Sequence, residues 1–414
     1  MKVNTLEQYS DVIVIGGGAS GMVAAVKAAE KSRSVLLLEK AEKTGRKILA
    51  SGNGRCNLMN SGQLRYYGDC AFARDVFMHC NPSEICSFFR YYGLVMTEEE
   101  GRIYPVTYQA ASVHSVLRNA LLVNGVNMKV NSHVVSAEKK CSSFLVTTAA
   151  GEQYSSRALV IACGGAAQPK LGGVFDGYRL IESFGHTMIP ARPALVPLVT
   201  DSRSISGLSG IRIRCRVRVI RSNETIHSEE GEVLFTDYGI SGICIMQCAR
   251  FADQPGTSLS LDFMSGIFPD RDVLISEMKR RKILFSSSSP VWLLNGILPE
   301  KIAYAVLKQA GLPMKGEKAS EIRDEMISCI ADAAYRYILL ITGTRGFDYA
   351  QVTAGGIDCS EFDPSTMCSR IVPDLYAAGE LLNVDGDCGG YNLMFAFATG
   401  LIAGSSVSDR TAAG

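Results

Sequence analysis

Between positions 11 and 39 the chain carries an ordered set of signals that few folds accommodate. Residues 11–15 read DVIVI, a short apolar β-branched run, the pattern of a strand buried on both faces. Residues 16–21, GGGASG, follow at once and satisfy G-x-G-x-x-G. Residues 22–31 are alanine-rich and read as a helix. Residues 34–39, SVLLLE, form a second buried strand ending in a carboxylate eighteen residues after Gly21.

Each part has a physical job. Gly16 permits a tight turn, Gly18 lets a pyrophosphate approach the backbone, and Gly21 lets helix and strand pack closely. Ala19 and Ser20 open the helix, whose first N–H groups and positive dipole end suit phosphate. Glu39 can accept from both ribose hydroxyls and would repel a 2′-phosphate. Strand, glycines, helix, strand and acid in this order predict dinucleotide binding. This segment alone leaves FAD or NAD open.

Residues 43–60, KTGRKILASGNGRCNLMN, are too rich in Gly, Asn and basic residues for one continuous strand or helix. A loop here would run along a bound dinucleotide, with Arg46, Lys47 and Arg55 near phosphate. Two later strands return to the same region: residues 159–165, LVIACGG, and 375–380, LYAAGE. Residues 385–393, DGDCGGYNL, then open a last helix whose first N–H groups would converge on one spot. Ala396, Gly400 and Gly404 form a stripe of small residues that would let this helix lie close to the nucleotide-binding core.

The segments GGGASG, GRKILASGNGRCN, VTAGGID and AAGELLNVDGDCGGYNL, with GRIYP and FTDYGISG, resemble the HI0933-like (YhiN- or BaiN-like) family of NAD(P)/FAD-dependent oxidoreductases over nearly the whole chain. The resemblance implies an α/β fold: a split Rossmann-like FAD-binding domain with an inserted β-rich subdomain and a small helical portion. Carried over by motif, the FAD contacts are Gly16, Gly18, Ala19, Ser20, Gly21, Glu39, Lys40, Lys47, Gly54, Arg55, Cys56, Asn57, Gly164, Gly379, Glu380, Asn392 and Leu393. Departures fall at Met394, Asp237, Ile243 and residues 162–178, around the expected substrate side. Some family members are associated with reduction of steroid enones in bile-acid metabolism, which implies an apolar enone as a substrate class.

The FAD-binding domain is expected over residues 1–190 and 345–414, with an insert at 191–344 forming the substrate-side wall. Within the insert, an antiparallel sheet is expected at about 191–264 and 335–344, and helices at about 265–334. Residues 211–221 alternate strictly, with Arg212, Arg214, Arg216 and Arg218 on one face. A solvated outer face, paired across strands with Glu229, Glu230 and Glu232, is the preferred reading over an anion site.

With 42 Lys+Arg against 41 Asp+Glu, no net basic charge points to nucleic acid, and none is expected as a partner. The thirteen cysteines make no C-x-x-C pair and no framework, and no secretory signal precedes Asp11. Reduced thiols in a cytoplasm follow, with no metal site. Residues 388–408 lack charge for nearly the length of a membrane span, but their glycines favour a buried helix. The resulting expectation is an FAD-dependent oxidoreductase acting on a small organic substrate. NAD(P)H would dock transiently, because no second strand–G-x-G-x-x-G unit exists. A flavin oxidase or dehydrogenase using O2 or another carrier, and an FAD-binding protein without redox turnover, are the alternatives. Tyr391, Tyr238 and Asp237 are the candidate proton donors by their place in motif segments. Cys56 reads as a buried loop thiol, and His114, His133 and His186 as packing or surface residues.

Overall fold

The computed structural model describes residues 8–32, 34–252, 254, 256–312 and 317–412. The chain divides into two compact units, residues 1–193 with 351–414, and residues 194–350.

The first unit is built on a sheet whose parallel part runs Asn127–Lys129, Val35–Leu38, Gln8–Ile15, Gln153–Ile161, Leu375–Ala377. Val12, Ile13 and Val14 are fully buried, as the unbroken apolar run predicts. Truncating one of them, such as Ile13→Ala, would cost about 2–5 kcal/mol. The long strand Gln153–Ile161 does double duty. Its first half pairs antiparallel with Ser143–Thr148, which continues to Val134–Lys140, and its second half receives Leu375–Ala377 in parallel. A segment more than two hundred residues away in sequence is thereby seated beside the opening βαβ unit. That is the physical content of a split nucleotide-binding domain.

The opening helix, Ala19–Ala29, and the closing helix, Tyr391–Ala412, lie against each other at the small-residue stripe. A Cβ on Gly400 would stand 2.5 Å from the Ser20 carbonyl oxygen, and one on Gly404 2.4 Å from that of Ala24. Only glycine permits this backbone-to-backbone approach. No described helix is long and apolar enough to cross a membrane; the uncharged closing stretch is buried against its own protein instead.

In the second unit the expected antiparallel strands close into a barrel. Its order is Leu198–Thr200, Gly239–Ser241, Glu224–Phe235, Arg212–Arg221, Ser258–Asp262, Tyr337–Thr344. Closure leaves no edge unpaired. A helix, Ile243–Ala252, sits within the stretch read as sheet alone. The helical portion contains Arg271–Leu284, Glu300–Gln309 and Asp324–Tyr335. The last is preceded by one 3-10 turn, Ala319–Glu321, after which Ile322 turns extended. The arginine face is paired in part as expected: Arg212 with Glu232 at 2.5 Å, and Arg214 and Arg216 with Glu230 at 3.8 Å, whereas Arg218 takes Asp262 at 3.0 Å and Glu229, on the other face opposite Val217, meets His227 at 2.9 Å instead.

Candidate cofactor site and active site

The glycine turn has the geometry its spacing predicts. Gly16 has φ +106°, and a Cβ there would meet the Ala162 carbonyl oxygen at 2.5 Å; one on Gly21 would lie 1.8 Å from the Gly16 oxygen. At Gly18 the same construction meets nothing within 4 Å. Two glycines are therefore required by packing, while the third opens onto free space at the N-terminus of the opening helix. Glu39 reaches back to this turn. Its Oε2 accepts from the Gly17 N–H at 2.7 Å and its Oε1 from Ala41 at 2.7 Å.

The C-terminal segment arrives at the same place. Ser20 donates its hydroxyl to the Ala378 carbonyl at 3.3 Å, and the Gly379 N–H donates to Thr399 Oγ1 at 3.0 Å. Beyond it, Glu380 takes a hydrogen bond from the Thr353 N–H at 2.8 Å and an ion pair from Lys47 at 3.0 Å. A Cβ on Gly164 would stand 3.8 Å from Lys47 Nζ. Gly16, Gly18, Ala19, Ser20, Gly21, Glu39, Lys47, Gly164, Gly379 and Glu380 are thus brought together by direct contacts.

A second cluster forms at the start of the closing helix. Gly389 and Gly390 both have positive φ, +123° and +99°. A Cβ on Gly390 would meet the Met59 carbonyl oxygen at 2.5 Å and Asn57 Oδ1 at 2.6 Å. Asn60 donates to the Gly389 carbonyl at 2.9 Å and accepts from the Tyr391 hydroxyl at 3.1 Å. The helix ladder begins with Met394 N–H bonding to Gly390, which leaves the N–H groups of Tyr391, Asn392 and Leu393 for whatever lies before the helix. Asn392 uses its side chain on its own turn, accepting from Gly386 N–H at 2.8 Å and donating to the Gly386 carbonyl at 2.8 Å.

The remaining candidates sit less centrally. Lys40 pairs with Asp176 at 3.6 Å. Arg55 is exposed, 6.0 Å from the Tyr108 ring centre, next to Gly54, which faces open space. Cys56 is buried, and burial pushes its thiol up to about 11. All thirteen cysteines are free. Tyr391 is buried, edge-on to Tyr66 at 5.8 Å, and burial raises its phenol above the ordinary range. Asp237 and Tyr238 belong to the other unit. They occupy a turn closed by Thr236 N–H to the Gly239 carbonyl at 2.9 Å, with Asp237 exposed.

His186 is buried between Glu361, 2.7 Å from Nδ1, and Ser369, 2.9 Å from Nε2. This Ser–His–Glu chain pins loops together: Ser369 Oγ already accepts from the N–H groups of Ile371 and Val372. Residues missed by sequence reading are Asn60 and Thr353, both inside quoted motifs, and Tyr66, which carries no signal at all. Among the described residues no group of side chains could hold a metal ion.

The first unit fits FAD. Gly18 leaves the cradle for a pyrophosphate, Glu39 stands at the end of the second strand for a ribose, and Lys47 supplies a cation. At the other cluster, Asn57 Oδ1 is buried with no hydrogen-bond partner, beside free helix N–H groups. Residues 10–406 match the HI0933-like protein Rossmann domain. The chain belongs to the HI0933-like family. The protein is an FAD-dependent oxidoreductase.

The protein is 35% identical to 3-dehydro-bile acid delta(4,6)-reductase of Clostridium scindens over 96% of its own length and 98% of the relative's. It is 28% identical to ribosomal RNA dihydrouridine synthase of Escherichia coli over 94% and 96%. The open conformation of a flavocytochrome c3 fumarate reductase shares the fold (TM-score 0.50, 15% identity, 98% of this chain and 79% of that one).

Proposed function

We propose that this family member reduces the carbon–carbon double bond of an apolar conjugated ketone, with NAD(P)H as reductant. The observation that supports the reading is the junction of the Gly16–Gly21 turn with the later chain: Ser20 donates to the Ala378 carbonyl, and a Cβ on Gly379 would stand 2.4 Å from Ser20 Oγ. Its substrate class is supported by the two relatives. A 3-dehydro steroid with delta(4,6) unsaturation and a uridine both carry a double bond conjugated to a carbonyl. The steroid side is favoured by the greater identity and by the acid-paired arginines of the barrel, which leave little free positive charge for a phosphate backbone.

FAD, when bound, supplies the hydride chemistry of its ring system. The chain's part is to bind, orient and move protons. Gly18 and the opening helix hold phosphate, and Glu39 holds the ribose hydroxyls. Lys47, kept in place by Glu380, balances negative charge. The N–H groups of Tyr391, Asn392 and Leu393 favour negative charge gathering before the closing helix. Tyr391 is the preferred proton donor of the three candidates. Its phenol is protonated at neutral pH like any tyrosine and burial raises it further; its hydroxyl donates to Asn60 Oδ1, a bond it would exchange for one to the substrate. Asp237 is exposed, and the Tyr238 ring is engaged by Arg345.

The test is anaerobic. NADPH or NADH should bleach the flavin band, and the methyl ester of 3-oxo-4-cholenoate should restore it. Failure of both nucleotides to bleach, or reoxidation by O2 but not by the enone, would overturn this reading in favour of an oxidase or a non-redox role.

A further inference from the structure

Arg345 stands apart from the other arginines of its unit. Its guanidinium carbon lies 4.1 Å from the ring centre of Tyr238 and 4.0 Å from that of Tyr349, so two aromatic faces engage one cation. Both distances are well inside the range of cation–π attraction. Arg212 and Arg218 are neutralised by carboxylates, but no carboxylate of the described residues pairs with Arg345. Asp237 and Asp348, the acids next to the two tyrosines in sequence, are exposed and make no ion pair with it.

The backbone holds the cation in place. The Arg345 N–H donates to the Pro197 carbonyl at 3.1 Å. The turn after it is closed by Ala350 N–H to the Gly346 carbonyl at 3.1 Å, with Gly346 at φ +67°. Tyr349 therefore sits on a fixed turn and Tyr238 on the Thr236–Gly239 turn, while the arginine is anchored between them. Arg345 is half-buried and Tyr349 is 51% exposed, so the cluster opens to solvent.

A guanidinium offers its N–H donors only in its own plane. With its faces engaged by rings, its edge is the part left for a ligand, and that edge matches the two oxygens of a planar carboxylate. The flanking rings give the ligand apolar walls. We propose that Arg345, clamped by Tyr238 and Tyr349, is a binding site for the carboxylate of an apolar acid. It rests on the proposed function only for the ligand's enone body. Phosphate offers related oxygens but no apolar body, and serves as the competing source.

Calorimetric titration of the FAD-loaded enzyme without reductant separates binding from turnover. The probes are 3-oxo-4-cholenoate, its methyl ester, cyclohexaneacetate and inorganic phosphate. The acid should bind about tenfold or more tighter than the ester, the size of a hydrogen bond to a charged group. Arg345→Met should erase that preference and leave the ester's affinity unchanged. Arg345→Lys should recover part of it, and Tyr349→Leu should reduce it several-fold while melting and FAD content stay as in the parent. Equal affinity for acid and ester in the parent, or a preference that survives Arg345→Met, overturns the clamp. Displacement of cholenoate by phosphate at equal concentration overturns the choice of carboxylate. Should neither steroid bind while cyclohexaneacetate binds through Arg345, the clamp stands and the enone reading falls.

Discussion

The opening glycine turn and the start of the closing helix are built in opposite ways. At the opening turn nearly everything is backbone: Gly16, Gly18 and Gly21 are there for what they lack, and Glu39 is the one side chain of consequence. At the closing helix the work passes to side chains. Asn60, Tyr66, Tyr391 and Asn392 form a lattice in which side chains fix the turn and the helix start, with the unpartnered Asn57 Oδ1 beside them. A backbone cradle depends on φ and van der Waals space, so substitutions there should act through folding. A side-chain lattice depends on polar pairing, so substitutions there should act through chemistry while the fold persists.

The largest expected effect is at the cradle. Gly21→Ala puts a methyl 1.8 Å from the Gly16 oxygen, with the Ala162 Cβ at 3.3 Å and nothing flexible to yield. A loss of about 4 kcal/mol or more is expected, read as insoluble or FAD-free protein. Normal stability of this variant would break the distinction. Next, Tyr391→Phe should keep FAD and stability yet lower turnover about 100-fold or more, the range of general acid catalysis. Unchanged turnover would reduce Tyr391 to a packing ring. In the third place, Glu39→Ala should weaken FAD about 10- to 100-fold by titration, since it removes charge-assisted hydrogen bonds.

The smallest effect belongs to Cys56, between the two ends. Its thiol is pushed up to about 11, so the thiolate is scarce below that pH and becomes common only above it. Alkylation of Cys56 in the native protein at pH 7.5, followed by peptide mapping, should be at least about 100-fold slower than at an ordinary thiol. Cys56→Ser should change FAD affinity by less than about threefold. Fast alkylation at neutral pH would make Cys56 a reactive centre instead.

The same contrast explains what the sequence disclosed. The opening turn is local: strand, glycines, helix and acid fall within thirty residues, so spacing alone specifies the geometry. The glycines at 400 and 404 were also legible, because periodicity placed them on one face and the opening helix now fills it. The lattice was only half legible. Tyr391 and Asn392 lie in quoted motifs, but the bond from Tyr66 to the Tyr391 carbonyl joins positions 325 apart and leaves no trace in either neighbourhood. Barrel closure was likewise hidden, since alternation reports a half-buried strand and says nothing of which strands meet. Arg345 carries no sequence signal, because only the fold brings Tyr238 to the guanidinium that Tyr349 also meets.

Hydrogen–deuterium exchange of the apoprotein, with and without FAD, tests the central claim most directly. Binding of one equivalent should slow exchange in residues 16–21 and 389–394 together, at the same FAD concentration. Protection of the opening turn alone, with the closing helix start unchanged, would contradict the joining of both chain ends around a single cofactor.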